Sequence, residues 1–429
     1  MKNSEAETMI FFSLHYPYHF TDSYLDEEIN LLAARFKKIV IITANTYTEE
    51  KRQVPPNAVV YRFSPKADVA TKSKSTRLLL TPGFYRILLR TIFKYKIGLN
   101  AARFKELFAF YSRALATKDF LEKVIEEQQL DKNNLLIYTY WMIESTMASV
   151  MLKEENAGVK VISKAHSQDV YFDRSPVGYH PFAKYIFKGL NHLFFISDNA
   201  RNYFVTKHGI NAEEQKKLSI SRIGIKGPDA LIRKTKQNVL RIVSVAYIQK
   251  IKRVDLIIDA LALINDITIE WYHAGHSNQN EADFEAIKKY AADKLGVHSN
   301  ISFTFLGKTG KEDLFRLYAD RNFDLFLNVS ETEGIPVSMM EAMSYSVPVI
   351  GTNVGGVAEI VEDGKNGFLL SPYPNATEVQ KSILNFWALT EEQYNTMRQS
   401  AYNTWHNKYS ADVNYNEMVK AVDTLLKQK

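Results

Sequence analysis

The chain has 429 residues, 46% of them hydrophobic and 24% charged, and these values predict a globular protein of two domains rather than a disordered chain. The absence of cysteine excludes disulfide bonds, zinc–thiolate sites, iron–sulfur clusters and thiol nucleophiles, and it suits a reducing compartment. Lysine and arginine number 54 against 48 aspartate and glutamate residues, a net charge of +6 that suits phosphate-bearing substrates or an anionic membrane surface but is too small to indicate nucleic acid.

The beginning of the chain lacks the pattern of a secretion signal. MKNSEAETMIFFSLHYPYHF carries acidic residues and only a short apolar run, without the basic segment and apolar core that such signals need. No later stretch approaches the roughly 18 uninterrupted apolar residues of a membrane-spanning helix. We therefore expect a cytoplasmic protein that is not integral to a membrane.

Strand and helix patterns alternate through the first half of the chain. MIFFSL predicts a buried strand, and the helix after it has its apolar stripe at Leu25, Ile29, Leu32 and Phe36. Further strands are predicted at 39–43, 135–140, 159–166 and 192–197. This alternation is typical of a parallel α/β sheet, so residues 1–227 are predicted to form an N-terminal Rossmann-like domain.

A helical insertion is predicted in this domain at about residues 78–127. Arg86, Arg90 and Lys94 are spaced four apart and share one helix face, and the apolar face beside it contains Phe84, Leu88, Ile92, Tyr95 and Leu99. The common outcome of such a pattern is a solvated basic face and a core-facing apolar one. The alternative is peripheral contact with an anionic membrane, and we keep it as a hypothesis.

A second α/β domain begins after a polar stretch. GIKGPDALIRKTKQN, at 224–238, has the glycines and the proline of a linker. Strand patterns restart at 240–248 and continue with ITIEWYHAG, ISFTFLG, FDLFLNVS and VPVIG. We predict a C-terminal Rossmann-like domain at 238–408, followed at 409–429 by a helix that packs back on the N-terminal domain.

The segment at 326–372 concentrates candidate binding residues. Glu333 lies in a loop after a strand, Pro336 begins a helix, and Glu341 follows about two turns inside that helix. The two carboxylates can therefore accept hydrogen bonds from hydroxyl groups at different points of one elongated ligand. After the next strand, Gly355 and Gly356 lack side chains, so backbone amides there can approach a diphosphate at a helix N-terminus. The pattern predicts a site for a sugar, a ribose and a diphosphate.

This segment resembles the donor site of the family 4 retaining glycosyltransferases, which have two Rossmann-like domains facing each other across a cleft (the GT-B architecture). Glu333 and Glu341 match the family's pattern of two glutamates separated by seven residues. The resemblance implies that Glu333 lies against the donor sugar, as a catalytic residue, and that Glu341 binds the ribose hydroxyls. The other donor-binding residues of this segment are Gly334, Ile335, Pro336, Gly355 and Gly356.

Two further segments resemble parts of the same donor site. VSVAYIQKIKRVDLIIDAL is similar to the family's phosphate-binding strand, loop and helix, which implies that Lys252 binds the diphosphate. The sequence departs from the family pattern at Tyr247, where a second phosphate-binding arginine is common, and at Arg253, which replaces a glycine. We count Arg253 among the donor-binding candidates because it could compensate for Tyr247. Gly275, in HAGHSNQ, is assigned by the same resemblance to a loop near the donor base.

One residue of the N-terminal domain joins the candidate site. ISKAHSQDVYFDR resembles a strand end at which the family has a histidine in contact with the donor sugar or its phosphate, so His166 is the candidate there. The chain contains no Asp-x-Asp pair, the motif with which the other large glycosyltransferase architecture clamps a metal ion and a diphosphate. We expect no metal and no cofactor, and the nucleotide-diphosphate sugar acts as a substrate.

The resemblance implies a retaining glycosyltransferase that moves a sugar from a nucleotide-diphosphate sugar to a glycan or lipid-linked hydroxyl acceptor, in surface glycan assembly. It also implies that the domain at 1–227 binds the acceptor and that the domain at 238–408 binds the nucleotide sugar. Two alternatives stay open. A non-catalytic accessory subunit could keep this fold, and Tyr247 is compatible with such a role. A sugar-nucleotide epimerase could share the two-domain architecture, but it would transform the donor without any acceptor.

Overall fold

The computed structural model describes residues 8–18, 25–44, 51–65, 82–90, 93, 100–277 and 280–427. The chain divides into two compact units. The first consists of Met1–Arg222 together with Tyr415–Lys429, and the second of Ile223–Asn414. Each unit contains a parallel β-sheet, and helices connect most of its successive strands. The predicted pair of Rossmann-like α/β domains is therefore confirmed.

The sheet of the first unit has seven strands. They are β1 (Thr8–Ser13), β2 (Lys38–Thr43), β3 (Ala58–Arg62), β4 (Leu135–Tyr140), β5 (Lys160–Ala165), β6 (His192–Phe195) and β7 (Leu218–Ile220). Their order in the sheet is β3-β2-β1-β4-β5-β6-β7. Apolar runs such as Met9–Phe12 are buried on both faces, as expected of a parallel sheet that helices cover on each side.

The helices of the first unit include the predicted insertion. In chain order they are α1 (Leu25–Arg35), α2 (Pro82–Leu89), α3 (Ala101–Glu127), α4 (Glu144–Glu155), α5 (Ser167–Val170), α6 (Ala183–Gly189), α7 (Asp198–His208) and α8 (Ala212–Gln215). Helices α2 and α3 occupy the insertion, and α3 begins where the Asn100 side chain accepts a hydrogen bond from the Arg103 backbone N–H. Of the predicted faces, Ile92, Lys94, Tyr95, Leu99 and the Phe84 side chain lie outside the described residues.

The second unit has a six-stranded sheet. Its strands are β8 (Val239–Val245), β9 (Thr268–Ala274), β10 (Ile301–Gly307), β11 (Leu325–Asn328), β12 (Val349–Thr352) and β13 (Gly367–Leu370). Their order is β10-β9-β8-β11-β12-β13. The chain runs outward from β8 to one edge and returns at β11 to run to the other edge. The strand order therefore reverses between β8 and β11, where ligands bind in open α/β sheets.

Helices connect these strands and close the chain. They are α9 (Val254–Leu261), α10 (Glu281–Leu295), α11 (Lys311–Arg321), α12 (Val337–Ser344), α13 (Val357–Ile360), α14 (Ala376–Trp387), α15 (Glu391–Thr404) and α16 (Ala411–Lys427). None of the described helices combines the length and the apolar character needed to cross a lipid bilayer.

The C-terminal helix α16 belongs largely to the first unit. Its Met418, Val422 and Leu426 side chains share a buried cluster with Phe11 of β1. The Lys160 ammonium donates a hydrogen bond to the Leu425 carbonyl oxygen at 2.6 Å. The first unit is thus assembled from two separate parts of the sequence.

Candidate functional site

The switch point of the second sheet brings two loops together. After β8 the chain makes a 3₁₀ turn at Lys250–Lys252 and enters α9, and after β11 it continues into the loop that contains Glu333. The backbone N–H of Glu331 donates to the carbonyl oxygen of Ile251 at 2.8 Å, which joins the two loops. Both loops leave the carboxyl edge of the sheet, where a ligand site is expected.

Lys252 and Glu333, both predicted site residues, meet at this point. The Lys252 ammonium lies 2.7 Å from Oε1 of Glu333, and the Asn328 amide donates to the same oxygen at 3.0 Å. Both members of the ion pair are mostly buried, so water screens their attraction less than that of a surface pair. Asn328 is absent from the predicted site. The signal for it in the sequence is a polar residue at the end of the apolar strand β11.

Arg253 adopts the left-handed conformation that glycine favours, with a φ of 52°. Its guanidinium donates to the Pro374 carbonyl oxygen at 2.9 Å. Tyr247, at the position of the family's second arginine, is exposed. Of the two predicted phosphate-binding cations, Lys252 therefore pairs with a site carboxylate, whereas Arg253 bonds to a carbonyl outside the predicted set.

The Glu333 loop packs against the turn at Gly355 and Gly356. Gly355 has a φ of 55°, and a Cβ built on it would lie 1.9 Å from the Glu333 carbonyl oxygen. A Cβ on Gly356 would lie 2.3 Å from the Ile335 side chain. The Gly356 N–H donates to the Gly334 carbonyl oxygen at 2.8 Å, which occupies the amide that the sequence prediction offered to a diphosphate. The two glycines allow the turn to support the Glu333 loop.

Glu341 lies on α12, which follows Pro336, and its neighbours differ from those of Glu333. Burial raises the pKa of the Glu341 carboxyl to about 7, while the ammonium of Lys311, at the start of α11, acts to lower it. Tyr318 of α11 is buried beside it, and burial together with the Glu341 charge raises the pKa of its phenol. The two glutamates thus occupy distinct electrostatic surroundings. Lys311 is a second residue that the prediction missed.

Gly275 marks a close approach at the end of β9. Its φ is 147°, and a Cβ there would lie 1.8 Å from the Ala246 carbonyl oxygen. Its N–H donates to the Gly307 carbonyl oxygen at 2.9 Å. The absence of a side chain lets the ends of β8, β9 and β10 converge. Its assignment to the donor base stays a prediction.

In the first unit, His166 follows β5 and is almost fully buried. Among the described residues, no hydrogen-bond partner is present for Nε2 of its ring. Burial lowers the pKa of His166 well below its usual value, and the charge of Lys164 lowers it further, so the ring is neutral at pH 7. Because buried polar atoms usually have partners, this nitrogen is suited to a ligand.

Trp141 and Asp169 both contact His166, one at its ring and the other at its backbone. The Trp141 indole stacks on the His166 ring, with centroids 4.4 Å apart and planes inclined by 25°. Trp141 has a φ of 94°, which is rare for a bulky residue and concentrates at functional sites. Asp169 accepts hydrogen bonds from the backbone N–H groups of His166 at 2.6 Å and Met142 at 2.5 Å. Trp141 is a third residue absent from the predicted site.

The second unit therefore offers a cation, carboxylates and a glycine turn around one sheet edge. Lys252 can neutralise phosphate oxygens, and Glu333 and Glu341 can accept hydrogen bonds from hydroxyl groups. In the part of the chain that the structure describes, no group of three or more His, Asp or Glu side chains could share a metal ion. The arrangement can bind a polyhydroxylated phosphate ester through the side chains of this chain.

Most of the second unit matches a known family of protein sequences. Residues 228–404 match the family model for glycosyl transferases group 1. A sucrose synthase of Denitrovibrio acetiphilus is 33% identical over 112 residues, 26% of this chain and 14% of that protein. The N-acetyl-alpha-D-glucosaminyl L-malate synthase of Bacillus anthracis is 28% identical over 129 residues, 30% of this chain and 31% of that protein. The chain thus spans less than a third of the length of either relative.

Solved structures share the fold over nearly whole chains. A glycosyltransferase from Rickettsia africae has a TM-score of 0.67 at 14% identity, covering 98% of this chain and 99% of its own. An Anabaena protein in complex with UDP-glucose has a TM-score of 0.60 at 15% identity, covering 97% of this chain and 99% of its own. At these identities the likeness is one of fold. The family match adds that residues 228–404 of the second unit are similar to glycosyl transferases group 1.

Proposed function

We propose that this chain is a family 4 retaining glycosyltransferase that transfers a sugar from a nucleotide-diphosphate sugar to a hydroxyl acceptor. The proposal starts from the glycosyl transferases group 1 segment of the second unit, whose sheet holds Lys252 and Glu333 at its switch point. The 2.7 Å contact between these two residues carries the proposal, because it joins a cation of the kind that binds phosphate to a carboxylate that could accept hydrogen bonds from a sugar.

The ion pair suggests how charge is handled when a donor binds. A diphosphate would compete with Glu333 for Lys252, and the Asn328 amide would stay with the carboxylate. As the bond to the sugar breaks, negative charge grows on the leaving diphosphate and positive charge on the sugar. Lys252 would stabilise the negative charge on the diphosphate, and Glu333 the positive charge on the sugar. No side chain then has to act as a strong base.

Glu341 is assigned to the ribose of the donor. An ionised carboxylate can accept hydrogen bonds from two neighbouring hydroxyl groups, and its burial makes these bonds hard for water to replace. Lys311 belongs to this part of the site because its charge favours the ionised form of Glu341. In the first unit, we assign the unpartnered His166 Nε2 to substrate contact.

The remaining assignments concern setting and substrates. We place the reaction in the cytoplasm, in surface glycan assembly, with a glycan or a lipid-linked hydroxyl as the acceptor. Lys252 is to hold the diphosphate, so we propose that turnover needs no metal. The UDP-glucose held by the Anabaena protein makes UDP-sugars the first donors to test.

A donor screen tests the proposal. The purified chain is incubated with UDP-, GDP-, ADP- and TDP-sugars, with and without EDTA, and release of the nucleotide diphosphate is measured with candidate acceptors. A donor at 100 times its dissociation constant should add about 2.7 kcal/mol to the free energy of unfolding. We expect one nucleotide class to stabilise the protein, EDTA-resistant turnover, and a product with the donor's anomeric configuration by NMR. Inversion, or complete inhibition that metal reverses, would contradict it.

A non-catalytic accessory subunit is the second candidate. The observations in its favour are Tyr247 at the position of an arginine and the bond between Arg253 and the Pro374 carbonyl, so that neither of these two positions offers a cation to the phosphate. Nucleotide binding without turnover on any acceptor would support this candidate. Turnover that Lys252→Ala abolishes would exclude it. Conversion of a donor in the absence of an acceptor would indicate an epimerase instead.

A further inference from the structure

Helix α2 and the described residues just after it expose large apolar side chains. Tyr85 and Leu89 of α2 are 44% and 51% exposed, and Phe93, four residues after Leu89 in the sequence, is 74% exposed. At about 100° per helical residue, Tyr85 and Leu89 lie about 40° apart on α2. Arg86 of α2 and Arg90, the residue that follows α2, are also exposed. We call Tyr85, Leu89 and Phe93 the apolar strip, and Arg86 and Arg90 its basic border.

The same helix has a separate side that faces the core. Ile87 and Leu88 are buried in the main core of the first unit, and a Cβ on Gly83 would lie 3.4 Å from the Tyr111 hydroxyl of α3. The sequence analysis put Leu88 on the apolar face of the insertion, and its burial agrees with the core-facing outcome given there. The exposed side of α2 is thus distinct from the side that packs on the core.

The sequence around α2 has a concentrated positive charge. Between Asp68 and Glu106 there is no acidic residue, whereas nine basic residues occur, at Lys72, Lys74, Arg77, Arg86, Arg90, Lys94, Lys96, Arg103 and Lys105. The whole chain has a net charge of +6, so the rest of the chain sums to 6 − 9 = −3. The positive charge of this protein thus comes from residues 69–105.

We propose that α2 docks the first unit on an anionic lipid bilayer. Tyr85, Leu89 and Phe93 enter the boundary between headgroups and acyl chains, while Arg86 and Arg90 contact lipid phosphates. An apolar strip bordered by arginine is the arrangement of interfacial helices, and the positive charge concentrated in the sequence around α2 favours an anionic surface. This surface lies outside the candidate site, so a test of membrane docking and a test of the proposed function can fail independently of each other.

Vesicle co-sedimentation tests both parts of this surface. The full chain is mixed with vesicles of phosphatidylcholine alone or with one quarter phosphatidylglycerol. Leu89→Glu with Phe93→Glu tests the apolar strip, and Val297→Glu with Tyr373→Glu is its control, because these side chains are 81% and 84% exposed in the second unit. Arg86→Glu with Arg90→Glu tests the basic border. Its control, Arg316→Glu with Lys381→Glu, makes the same change in net charge at exposed residues elsewhere.

We expect wild type and both controls to bind the anionic vesicles, and each α2 variant to bind at least about tenfold more weakly with an unchanged melting temperature. Raising the salt concentration should weaken wild-type binding. Three results would overturn the proposal: no wild-type binding, equal binding to both vesicle types, or α2 variants that bind as the controls do. Loss of oligonucleotide binding in the α2 variants, without vesicle binding by wild type, would assign the surface to nucleic acid.

Discussion

The ion pair between Lys252 and Glu333 joins residues 81 positions apart in the sequence. Glu333→Gln should preserve or increase affinity for a free nucleotide diphosphate, because Lys252 loses a competing anion, while transfer of the sugar falls by about tenfold or more. Calorimetry with the nucleotide and a transfer assay measure the two effects. Glu331→Gln, an exposed neighbour whose backbone joins the same loops, is the control. Equal losses of nucleotide affinity and of sugar transfer would show that Glu333 does not act on the sugar.

The buried carboxyl of Glu341 predicts a pH dependence. Its pKa is about 7, so nucleotide affinity should rise from pH 6 to pH 8 as the carboxylate forms and accepts the ribose hydroxyls. Glu341→Gln should remove that part of the pH dependence, and Glu341→Ala should cost about 1.5–3 kcal/mol of binding at pH 8. Titrations of wild type and variants against one nucleotide at several pH values measure this. Parallel pH profiles for wild type and Glu341→Gln would contradict it.

The same carboxyl should lower stability where it is ionised. Because burial raises its pKa in the folded state, folded protein binds more protons than unfolded protein between the usual value of about 4.3 and about 7. Its contribution to the free energy of unfolding therefore falls as pH rises through this range. Glu341→Gln should raise the melting temperature at pH 8 and leave it nearly unchanged at pH 4. A variant less stable than wild type at pH 8 would show that the carboxylate has compensating partners.

Trp141 covers the ring of His166, so its removal should change the histidine itself. Trp141→Ala should raise the pKa of His166 toward its usual value, since water would reach the ring, whereas Trp141→Phe should keep most of the shift. NMR titration of the His166 ring protons measures this directly. Trp387→Ala, in the second unit, is the control. An unchanged pKa in Trp141→Ala would show that other contacts keep the ring dry.

At the scale of single residues, the candidate site residues that the sequence predicted are those that lie in a recognisable local motif. Glu333, Glu341 and the glycines lie in one continuous segment with fixed spacing, and Lys252 lies in a recognisable strand and turn. Asn328, Lys311 and Trp141 were missed because their importance comes from contacts that only folding creates. Lys311, for example, lies at an ordinary helix start, and nothing in its neighbours indicates Glu341.

At the scale of elements, strands with buried apolar runs were predictable and those without were not. Phe11 on β1 and Phe326 on β11 belong to such runs and were found. β3 is only partly buried, β7 has three residues, and β13 begins with Gly367, so none of the three shows a long apolar run. The contact between the Glu333 loop and the glycine turn was also unpredictable, because it joins two separate loops.

That contact gives a prediction about the turn. Gly355→Ala and Gly364→Ala both place a side chain at positive φ, which costs about 1–2 kcal/mol. Only at Gly355 would the new Cβ meet the Glu333 carbonyl oxygen, while nothing lies within 4 Å of a Cβ at Gly364. Gly355→Ala should therefore lower the melting temperature further and also weaken nucleotide binding, and Gly364→Ala should leave binding intact. Equal effects in both assays would exclude the supporting role of the turn.

At the scale of the whole molecule, the first unit depends on a helix from the far end of the chain. Met418 of α16 is 2% exposed and lies in the cluster that includes Phe11. Met418→Ala should cost about 2–5 kcal/mol of stability. Val413→Ala, on the exposed side of the same helix, should cost under about 1 kcal/mol. Denaturant unfolding of the full chain compares them, and equal costs would show that α16 does not complete this core.

This discontinuity sets an order of events during synthesis. A ribosome delivers the seven strands of the first unit early, but Met418, Val422 and Leu426 leave it only after Ile223–Asn414. Helix α1 packs in the same cluster as Met9 and Phe11 and is available early, but the part of this sheet face that α16 covers stays exposed while the second unit is translated. The first unit is therefore translated first but completes its folding last. The apolar surface that it exposes in the meantime is where a chaperone that binds nascent chains would be needed most.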